Sequence, residues 1–234
     1  MGYGAGMASR PIALVTGASR GIGAAVARSL SATHEVLLGG RDSDALRTLA
    51  EEIPGARPWP VELTDGEAVA AAADDIDTLD VLIHSAGTIE LGAVSEVSAD
   101  SWRRTFELNL FAVTELTRAL LPALRAASGH VVLVNSGAGL AAKPHWGSYA
   151  ASKFALRAYA DVLRAEEAGN GLRVTSVFPG RVATDMQRDV RDSEGGAFEP
   201  ERYLRPESVA ESIVSAVRAP ADAHLTEITV RPHT

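Results

Sequence analysis

The chain has 234 residues, 46% hydrophobic and 22% charged, a composition typical of a single globular domain. Its formal net charge of −8 and the absence of a lysine or arginine run argue against a nucleic-acid partner. Because it contains no cysteine, a disulfide framework, a thiolate nucleophile and a zinc–thiolate site are excluded. We expect no bound metal.

The N-terminal segment MGYGAGMASR is glycine-rich and lacks an apolar core, so it predicts neither a signal peptide nor a membrane anchor. We expect residues 1–8 to be a flexible leader, with Met7 as a candidate natural start, and residues 9–234 to form one catalytic domain. No run of about eighteen apolar residues follows. The simplest expectation is a soluble cytoplasmic protein that does not contact membranes.

Strand-like and helix-like segments alternate along the chain. Apolar, β-branched runs predict strands at residues 12–16, 35–39, 81–83, 130–135, 172–178 and 225–230, with a weaker strand near residue 60. Segments with a period near 3.6 residues predict helices that include 24–30, 45–53, 102–127 and 149–169. This order predicts an α/β fold: a doubly wound Rossmann domain whose seven-stranded parallel sheet has helices on both faces. Ligands bind beyond the carboxyl ends of such strands.

A glycine-rich loop, TGASRGIG, follows the first predicted strand and leads into a helix. Gly17, Gly21 and Gly23 allow a tight turn and a close backbone approach to a pyrophosphate at the helix N-terminus. The spacing differs from the commoner G-x-G-x-x-G pattern, but the strand, turn and helix around it are those that a dinucleotide site requires.

The sequence LGGRD after the second predicted strand bears on the choice of cofactor. An acid that binds the ribose 2′-hydroxyl is the usual signal for NAD. Here Arg41 stands at the strand end, and Arg20 in the glycine loop is expected to reach the same 2′-phosphate, which favours NADP(H). Asp42, one residue further on, keeps NAD(H) open as the alternative.

Two hydroxyl groups are predicted to flank one crevice. Ser136 follows the fifth predicted strand in NSGAG, and Tyr149 and Lys153 lie four residues apart in YAASK, on one face of a helix. Alone, the serine would be read as a turn former and the tyrosine–lysine pair as a surface pair. Their common place beyond the strand ends makes them candidate catalytic residues.

These motifs together resemble the short-chain dehydrogenase/reductase family, in its type of roughly 250 residues, from about Arg10 to the C-terminus. TGASRGIG is similar to the family's cofactor loop, NSGAG to its serine motif, YAASK to its Tyr-x-x-x-Lys motif and FPGRVATDM to its segment after the sixth strand. The resemblance implies a catalytic tetrad of Asn109, Ser136, Tyr149 and Lys153.

The resemblance also implies a role for each residue. Tyr149 would be the general acid/base, with its pKa lowered by Lys153 and by oxidised nicotinamide. Ser136 would bind the substrate oxygen, Lys153 the nicotinamide ribose, and Asn109 a water in a proton relay. The implied cofactor contacts are Gly17, Ser19, Arg20, Gly21, Ile22, Gly23, Arg41, Glu62, Leu63, Ser85, Ala86, Gly87, Tyr149, Lys153, Pro179, Gly180, Val182 and Thr184.

Two positions depart from the family pattern. Where the family commonly has Asn-Asn-Ala-Gly, this chain has HSAG, and we expect His84 to be a hydrogen-bonded strand-end residue rather than a base. Glu62 stands where an aspartate usually meets the adenine, so the longer acid or the backbone of Leu63 would take that contact. Both departures concern cofactor affinity more than chemistry.

A variable lid is expected at about residues 186–206, with Met186, Phe198 and Tyr203 as candidate substrate lining, together with His145 and Trp146. The resemblance implies a homodimer or homotetramer formed through helices 100–126 and 149–168.

The expected function is an NADPH-dependent carbonyl reductase, or the reverse alcohol dehydrogenase, with a small-molecule substrate. The alternatives are a 3-oxoacyl-carrier-protein reductase, which the net charge disfavours, and a non-catalytic NADP(H) sensor, which the intact tetrad disfavours.

Overall fold

A computed structural model describes residues 10–233 of the chain, so the predicted leader at residues 1–8 lies outside the described residues. Seven strands form one sheet in the order β3-β2-β1-β4-β5-β6-β7, and every neighbouring pair is parallel. The predicted doubly wound sheet is confirmed. The strands are β1 (Ile12–Thr16), β2 (Glu35–Gly40), β3 (Ala56–Pro60), β4 (Val81–His84), β5 (His130–Val134), β6 (Arg173–Pro179) and β7 (Glu227–Val230).

Eight α-helices connect or follow these strands within residues 10–233. Four of the helices begin with a side-chain cap that accepts from a backbone N–H: Asp42, Asp65, Ser98 and Thr184. The helices are α1 (Gly21–Leu30), α2 (Ser43–Glu52), α3 (Gly66–Ala73), α4 (Ala99–Phe106), α5 (Ala112–Ala127), α6 (Gly147–Glu167), α7 (Asp185–Ser193) and α8 (Pro206–Val217). Over the described residues, none of them has both the length and the apolarity that crossing a bilayer requires.

The single long helix predicted at residues 102–127 is interrupted. A π-helical turn, Glu107–Phe111, separates α4 from α5. Such a turn adds one residue to the helix and often occurs at functional sites. Asn109 lies in its middle and is fully buried.

Two apolar cores cover the two faces of the sheet. On one face, Val26 of α1 and Ile213 of α8 pack against Val15 of β1. On the other face, Leu116 of α5 and Leu156 of α6 pack with the rest of the second cluster. β5, in the middle of the sheet, is buried along its whole length, which explains why its sequence is an unbroken apolar run. Both layers of helices hold the carboxyl ends of β1, β4, β5 and β6 at one edge.

Two buried histidines lie within the sheet and carry no positive charge near neutrality. Burial, with a smaller effect of Lys153, lowers the pKa of His84 to about 3. Burial, with smaller effects of Arg173 and His224, lowers the pKa of His130 to about 3. The unfolded chain binds protons at both histidines near the ordinary pKa of about 6.5, so the unfolded state gains protons first as the pH falls.

We therefore expect the free energy of unfolding to fall between about pH 6.5 and pH 3, with each histidine contributing a loss of about 3 kcal/mol by pH 4. His130→Gln keeps a donor for Thr175, whose Oγ1 lies 2.7 Å from His130 Nε2, but does not titrate. Urea unfolding at pH 7 and pH 4 measures the effect: the variant should lose about 3 kcal/mol less than the wild type. Equal losses in the two proteins would contradict the assignment.

Candidate active site

Tyr149 and Lys153 lie in the first two turns of α6, where the chain returns to the sheet edge. Both are buried, with exposures of 8% and 4%. The Lys153 Nζ atom is 5.8 Å from the centroid of the Tyr149 ring, and the Trp146 ring meets the same ring edge-on at 5.8 Å. The spacing of YAASK therefore brings the phenol and the ammonium to one side of the helix, as predicted.

The end of β5 is joined to α6 by side chains from both elements. Asn135 Nδ2 donates to the Lys153 carbonyl at 3.0 Å, and Asn135 Oδ1 accepts from the Ser136 N–H at 2.8 Å. In return, Lys153 Nζ donates to the carbonyl of Val134 at 3.1 Å. A Cβ at Gly139 would lie 2.5 Å from Asn135 Oδ1, so only glycine fits there. This β5–α6 link places Ser136 beside Tyr149.

Asn109 ties the π-helical turn to the same region. Its Oδ1 accepts from the Thr88 N–H at 2.8 Å, and its Nδ2 donates to the Thr88 carbonyl at 2.9 Å and to Ser152 Oγ at 3.1 Å. Ser152 Oγ in turn donates to the carbonyl of Tyr149 at 2.8 Å. The structure thus brings the four tetrad residues together. Both Nδ2 hydrogens of Asn109 are engaged within the protein, and the water-holding role that the resemblance implies stays a prediction.

The pKa values of the pair differ from the sequence-based expectation. Burial raises the pKa of Tyr149 above its usual 10, and a hydrogen bond with Ser136 only partly opposes this. Burial also lowers the pKa of Lys153 to about 8. In the protein without cofactor, burial therefore has the larger effect on the pKa of Tyr149, and the lowering that the sequence predicts with bound nicotinamide stays a prediction. Tyr149 is a protonated acid near neutrality.

The glycine loop after β1 packs closely on the end of β4. Gly17 has a φ of +65°, and a Cβ there would lie 2.8 Å from the backbone of Ala86. Thr16 Oγ1 accepts from the N–H groups of Ser85 and Ala86 at 3.1 and 3.2 Å. A Cβ at Gly23 would lie 2.2 Å from the Gly17 carbonyl oxygen. These contacts hold the glycine loop against the ends of β1 and β4. The N-terminus of α1 is therefore left accessible to a ligand.

The N-terminus of α1 suits a pyrophosphate. Its N-cap, Arg20, makes no side-chain capping bond, and the first turn contains no acid. By contrast, a side chain satisfies the first N–H groups of α2, α3, α4 and α7. Unpaired N–H groups and the positive end of the helix dipole attract an anion. Gly21, Ile22 and Gly23 would hold it, as the sequence predicts.

The two arginines proposed for a 2′-phosphate pair with different carboxylates. Arg20 Nη1 lies 3.4 Å from Asp185 Oδ2, and its side chain is 77% exposed. Arg41 Nη1 lies 3.9 Å from Glu62 Oε2, with 84% exposure. Such exposed pairs are weak, so both guanidinium groups are free to turn to a stronger anion. Asp42, the competing residue, caps α2 by accepting from the Ala45 N–H at 3.0 Å.

The remaining predicted cofactor contacts lie at the ends of β3, β4 and β6 or in the segments that follow them. Thr184 caps α7 and contacts the place where a Cβ at Gly21 would lie, at 3.3 Å, so the segment after β6 closes against the glycine loop. Val182 is buried and pairs with Leu204, whereas Leu63 belongs to the core. Pro179 and Gly180 line the cleft, and Gly87 lies against Asn109 Oδ1.

The departure at His84 is structural. His84 is buried, and its Nε2 lies 2.9 Å from Thr117 Oγ1. Since the Thr117 hydroxyl donates to the carbonyl of Val113 at 2.7 Å, its oxygen accepts from His84. The expected hydrogen-bonded strand-end role is what the structure shows. Within residues 10–233, no group of three or more His, Asp or Glu side chains is placed to hold a metal ion.

A cleft of about 1420 Å³ lies over Tyr149 and Ser136, between the loop before α6 and the predicted lid. Of the five candidate lining residues, Trp146, Met186 and Tyr203 border it. Phe198 instead packs against Tyr203 with the rings tilted by 38°, and the Arg188 guanidinium lies over its ring. His145 has a φ of +67°, and its carbonyl accepts from the Gly92 N–H at 2.9 Å, so it shapes the turn before α6.

Sequence reasoning missed three residues that build the site: Thr16, Asn135 and Ser152. Thr16 and Asn135 bond to the backbone of distant segments, and Ser152 links the Asn109 side chain to the Tyr149 carbonyl. Thr16 and Asn135 stand at strand ends within quoted motifs, TGASRGIG and NSGAG, and Ser152 stands within YAASK. The signal in the sequence that could have identified these three residues is that each one directly precedes a candidate site residue.

Relatives of the chain are oxidoreductases by name. The sequence profile of the short chain dehydrogenase family matches residues 11–195. Glycine betaine reductase ATRR of Emericella nidulans is 37% identical over 97% of this chain, which spans only 19% of that protein. An uncharacterized oxidoreductase of Staphylococcus saprophyticus is 32% identical, covering 94% of this chain and 97% of that one. Dehydrogenase/reductase SDR family member 7B of Bos taurus is 35% identical over 80% of this chain and 62% of its own.

Solved structures share the fold. An alcohol dehydrogenase of Thermococcus sibiricus complexed with 5-hydroxy-NADP superposes with a TM-score of 0.87 at 26% identity, covering 95% of this chain and 96% of that one. A metagenomic short-chain oxidoreductase in complex with NADP gives 0.82 at 30% identity, covering 97% and 99%.

The sheet order, the glycine loop and the Ser-Tyr-Lys arrangement define a Rossmann-fold oxidoreductase. With the profile match over residues 11–195, the chain belongs to the short-chain dehydrogenase family.

Proposed function

We propose that this protein is an NADPH-dependent carbonyl reductase that reduces a ketone or aldehyde to an alcohol. The observation that carries the proposal is a buried tyrosine, kept protonated, at the floor of a large cleft and beside a second hydroxyl and an ammonium. Reduction needs an acid that delivers a proton to the nascent alkoxide. Tyr149 is protonated near neutrality, and its hydroxyl lies beside Ser136 at the cleft, where it can donate this proton.

Each tetrad residue has a task in this reaction. Ser136 binds the carbonyl oxygen and aligns it with the Tyr149 hydroxyl, which then donates its proton. Lys153, held against Val134, offers its ammonium to the phenolate that this transfer leaves behind. Asn109 fixes the first turn of α6 through Ser152. The nicotinamide cofactor supplies the hydride, and relatives of known structure hold NADP.

The choice of NADPH over NADH rests on Arg20 and Arg41. Each stands at the open edge of the glycine-loop region and forms only a weak surface pair. A 2′-phosphate offers each guanidinium a stronger, charge-assisted hydrogen bond. The Asp42 carboxylate is engaged in capping α2, which disfavours its use for a ribose hydroxyl. We further propose that residues of about 186–206 act as the substrate lid.

The role of Tyr149 is tested by Tyr149→Phe, which removes the hydroxyl and keeps the ring. We expect kcat for carbonyl reduction to fall by a factor of about 10²–10⁴, because the proton donor is lost. NADPH binding, followed by nicotinamide fluorescence, should stay within about twofold of the wild type, since binding energy comes mainly from contacts elsewhere. Retained turnover would remove Tyr149 from its assigned role, and lost binding would point to misfolding.

Cofactor preference is tested by titrating NADPH and NADH separately into the wild type and Arg41→Gln. The wild type should bind NADPH at least about tenfold more tightly, and the variant should lose about tenfold for NADPH only, because a charge-assisted bond is removed. Arg47→Gln, on α2, is the matched control, since Arg47 pairs with Asp44 on its own helix. Equal binding of both cofactors by the wild type would refute the preference.

Association is proposed to use the outer face of the helices around the site. Phe111, Phe154 and Val162 are 49%, 43% and 53% exposed on this face, and large exposed apolar side chains of neighbouring helices favour burial against a second copy.

We expect the wild type to sediment as a dimer or tetramer and Val162→Glu to dissociate it, because the new charge would be buried without a partner. Val94→Glu is the control, as Val94 is 80% exposed in the loop between β4 and α4 and belongs to neither helix. A monomeric wild type would end the proposal.

A further inference from the structure

The substrate cleft is cationic, although the chain as a whole is acidic. Six cationic side chains line it, against two carboxylates, Glu199 and Glu201, in a protein of net charge −8. The six are Lys143, Arg181, Arg191, Arg202, Arg205 and Arg231. A cleft walled by one sign of charge concentrates ligands of the other sign.

Half of this positive charge is already paired. Glu194 binds Arg181 through two bonds of 2.6 and 2.8 Å and also accepts from Arg191 at 2.7 Å. Arg202 lies 3.3 Å from Glu199. Among the described residues, Lys143, Arg205 and Arg231 form no ion pair. These three are therefore the cations available to a ligand.

Arg231 is the one fixed next to the catalytic serine. Its Nη1 donates to the carbonyl of Phe178 at 2.6 Å and to that of Val230 at 3.2 Å. A Cβ at Gly137 would lie 3.2 Å from Arg231 Nη2, so the guanidinium lies against the residue that follows Ser136. Its side chain thus crosses the end of β6 and reaches the loop after β5.

The free edge of this guanidinium has the shape that a carboxylate needs. A guanidinium has five N–H donors, and both bonds of Arg231 within residues 10–233 are made by Nη1. The Nε–Nη2 edge is left with its parallel donors, the geometry of a bidentate arginine–carboxylate pair. Two main-chain carbonyls hold the group in place, so little further ordering is required on binding.

Arg231 lies too far from the phosphate-binding loop to bind the phosphates of the cofactor. The sheet order separates β7, which Arg231 follows, from β1 by four strand spacings, or roughly 19 Å at about 4.8 Å per strand. The pyrophosphate-binding loop follows β1, and the arginines assigned to a 2′-phosphate lie on the β1–β2 side. Arg231 instead faces the end of the cleft where the substrate oxygen meets Ser136.

We propose that the substrate is a small oxo acid and that Arg231 binds its carboxylate; this rests on the proposed carbonyl reductase function. In the reaction, a C–H bond forms at the carbonyl carbon with hydride from NADPH, which becomes NADP⁺. The C=O π bond breaks, and the oxygen takes the Tyr149 proton. The product is the corresponding hydroxy acid, with its carboxylate unchanged on Arg231. Lys143 and Arg205 add attraction at the mouth of the cleft.

The test compares acetoacetate with its methyl ester, a neutral counterpart, in wild type, Arg231→Gln and Arg218→Gln. Arg218, at the exposed end of α8 and outside the cleft lining, removes the same charge from the surface. We expect Arg231→Gln to lower kcat/KM for acetoacetate by about tenfold or more, through a higher KM, and to leave the ester within about threefold. Comparing variants on one substrate cancels the different reactivity of acid and ester. Thermal unfolding and NADPH fluorescence verify folding and cofactor binding.

The outcomes separate the two proposals. Turnover of the ester with no change of the acid-to-ester ratio in Arg231→Gln would overturn the carboxylate assignment and leave the reductase function standing. The same loss in Arg218→Gln would attribute the effect to overall charge. Failure of the wild type to reduce either substrate, or a panel of neutral aldehydes, while it binds NADPH would remove the reductase function and with it this inference.

Two other classes of substrate, a cationic aldehyde and an acyl group on a carrier protein, are tested in separate experiments. A preference for a quaternary-ammonium aldehyde over acetoacetate would contradict the cationic wall. Butanoate, which cannot be reduced, should inhibit ester reduction in wild type, and its inhibition constant should rise about tenfold in Arg231→Gln. If instead a 3-oxoacyl carrier protein is reduced and only Arg205→Gln weakens it, the cations serve a protein partner and the proposal falls.

Discussion

The active site depends on a buried ammonium that has no carboxylate partner among the described residues. Lys153 is 4% exposed and is held by the carbonyl of Val134. Burying a charge in this way is costly, and the cost appears as a pKa lowered to about 8. The fold tolerates it because α6 is fastened to the sheet at the same place by Asn135. The cation is therefore already in position when a phenolate forms.

Hydrogen bonds of two asparagines, Asn135 and Asn109, connect the start of α6 to the rest of the site. Asn135 sets the backbone of Ser136 while it holds Lys153. Asn109, through Ser152, holds the carbonyl of Tyr149. The end of β5, the π-helical turn and α6 thus meet in one hydrogen-bonded unit that holds the backbone around Ser136, Tyr149 and Lys153. Such preorganisation is how an enzyme avoids reorganising its polar groups during the reaction.

The sequence was sufficient for the fold, since the alternation of strands and helices follows from local pattern, whereas the tetrad came from the family resemblance and stays a prediction. The bounds of β1 agree with the predicted strand, and YAASK brought Tyr149 and Lys153 to one side of α6. The π-helical turn was missed because one inserted residue hardly alters the average period of a long helix. The separate carboxylate partners of Arg20 and Arg41 depend on side-chain positions that spacing does not specify.

The charge of the cleft is a second property that the sequence did not predict. The −8 total disfavoured an anionic partner at the sequence level, yet a total says nothing about where charges lie. The six cations of the cleft come from the loop before α6, the segment after β6, α7, the region before α8 and the C-terminal tail. They become neighbours only once the parallel sheet has brought its strand ends to one edge. The net charge of the chain and the local charge of the cleft are therefore separate properties, and only the local charge acts directly on a ligand in the cleft.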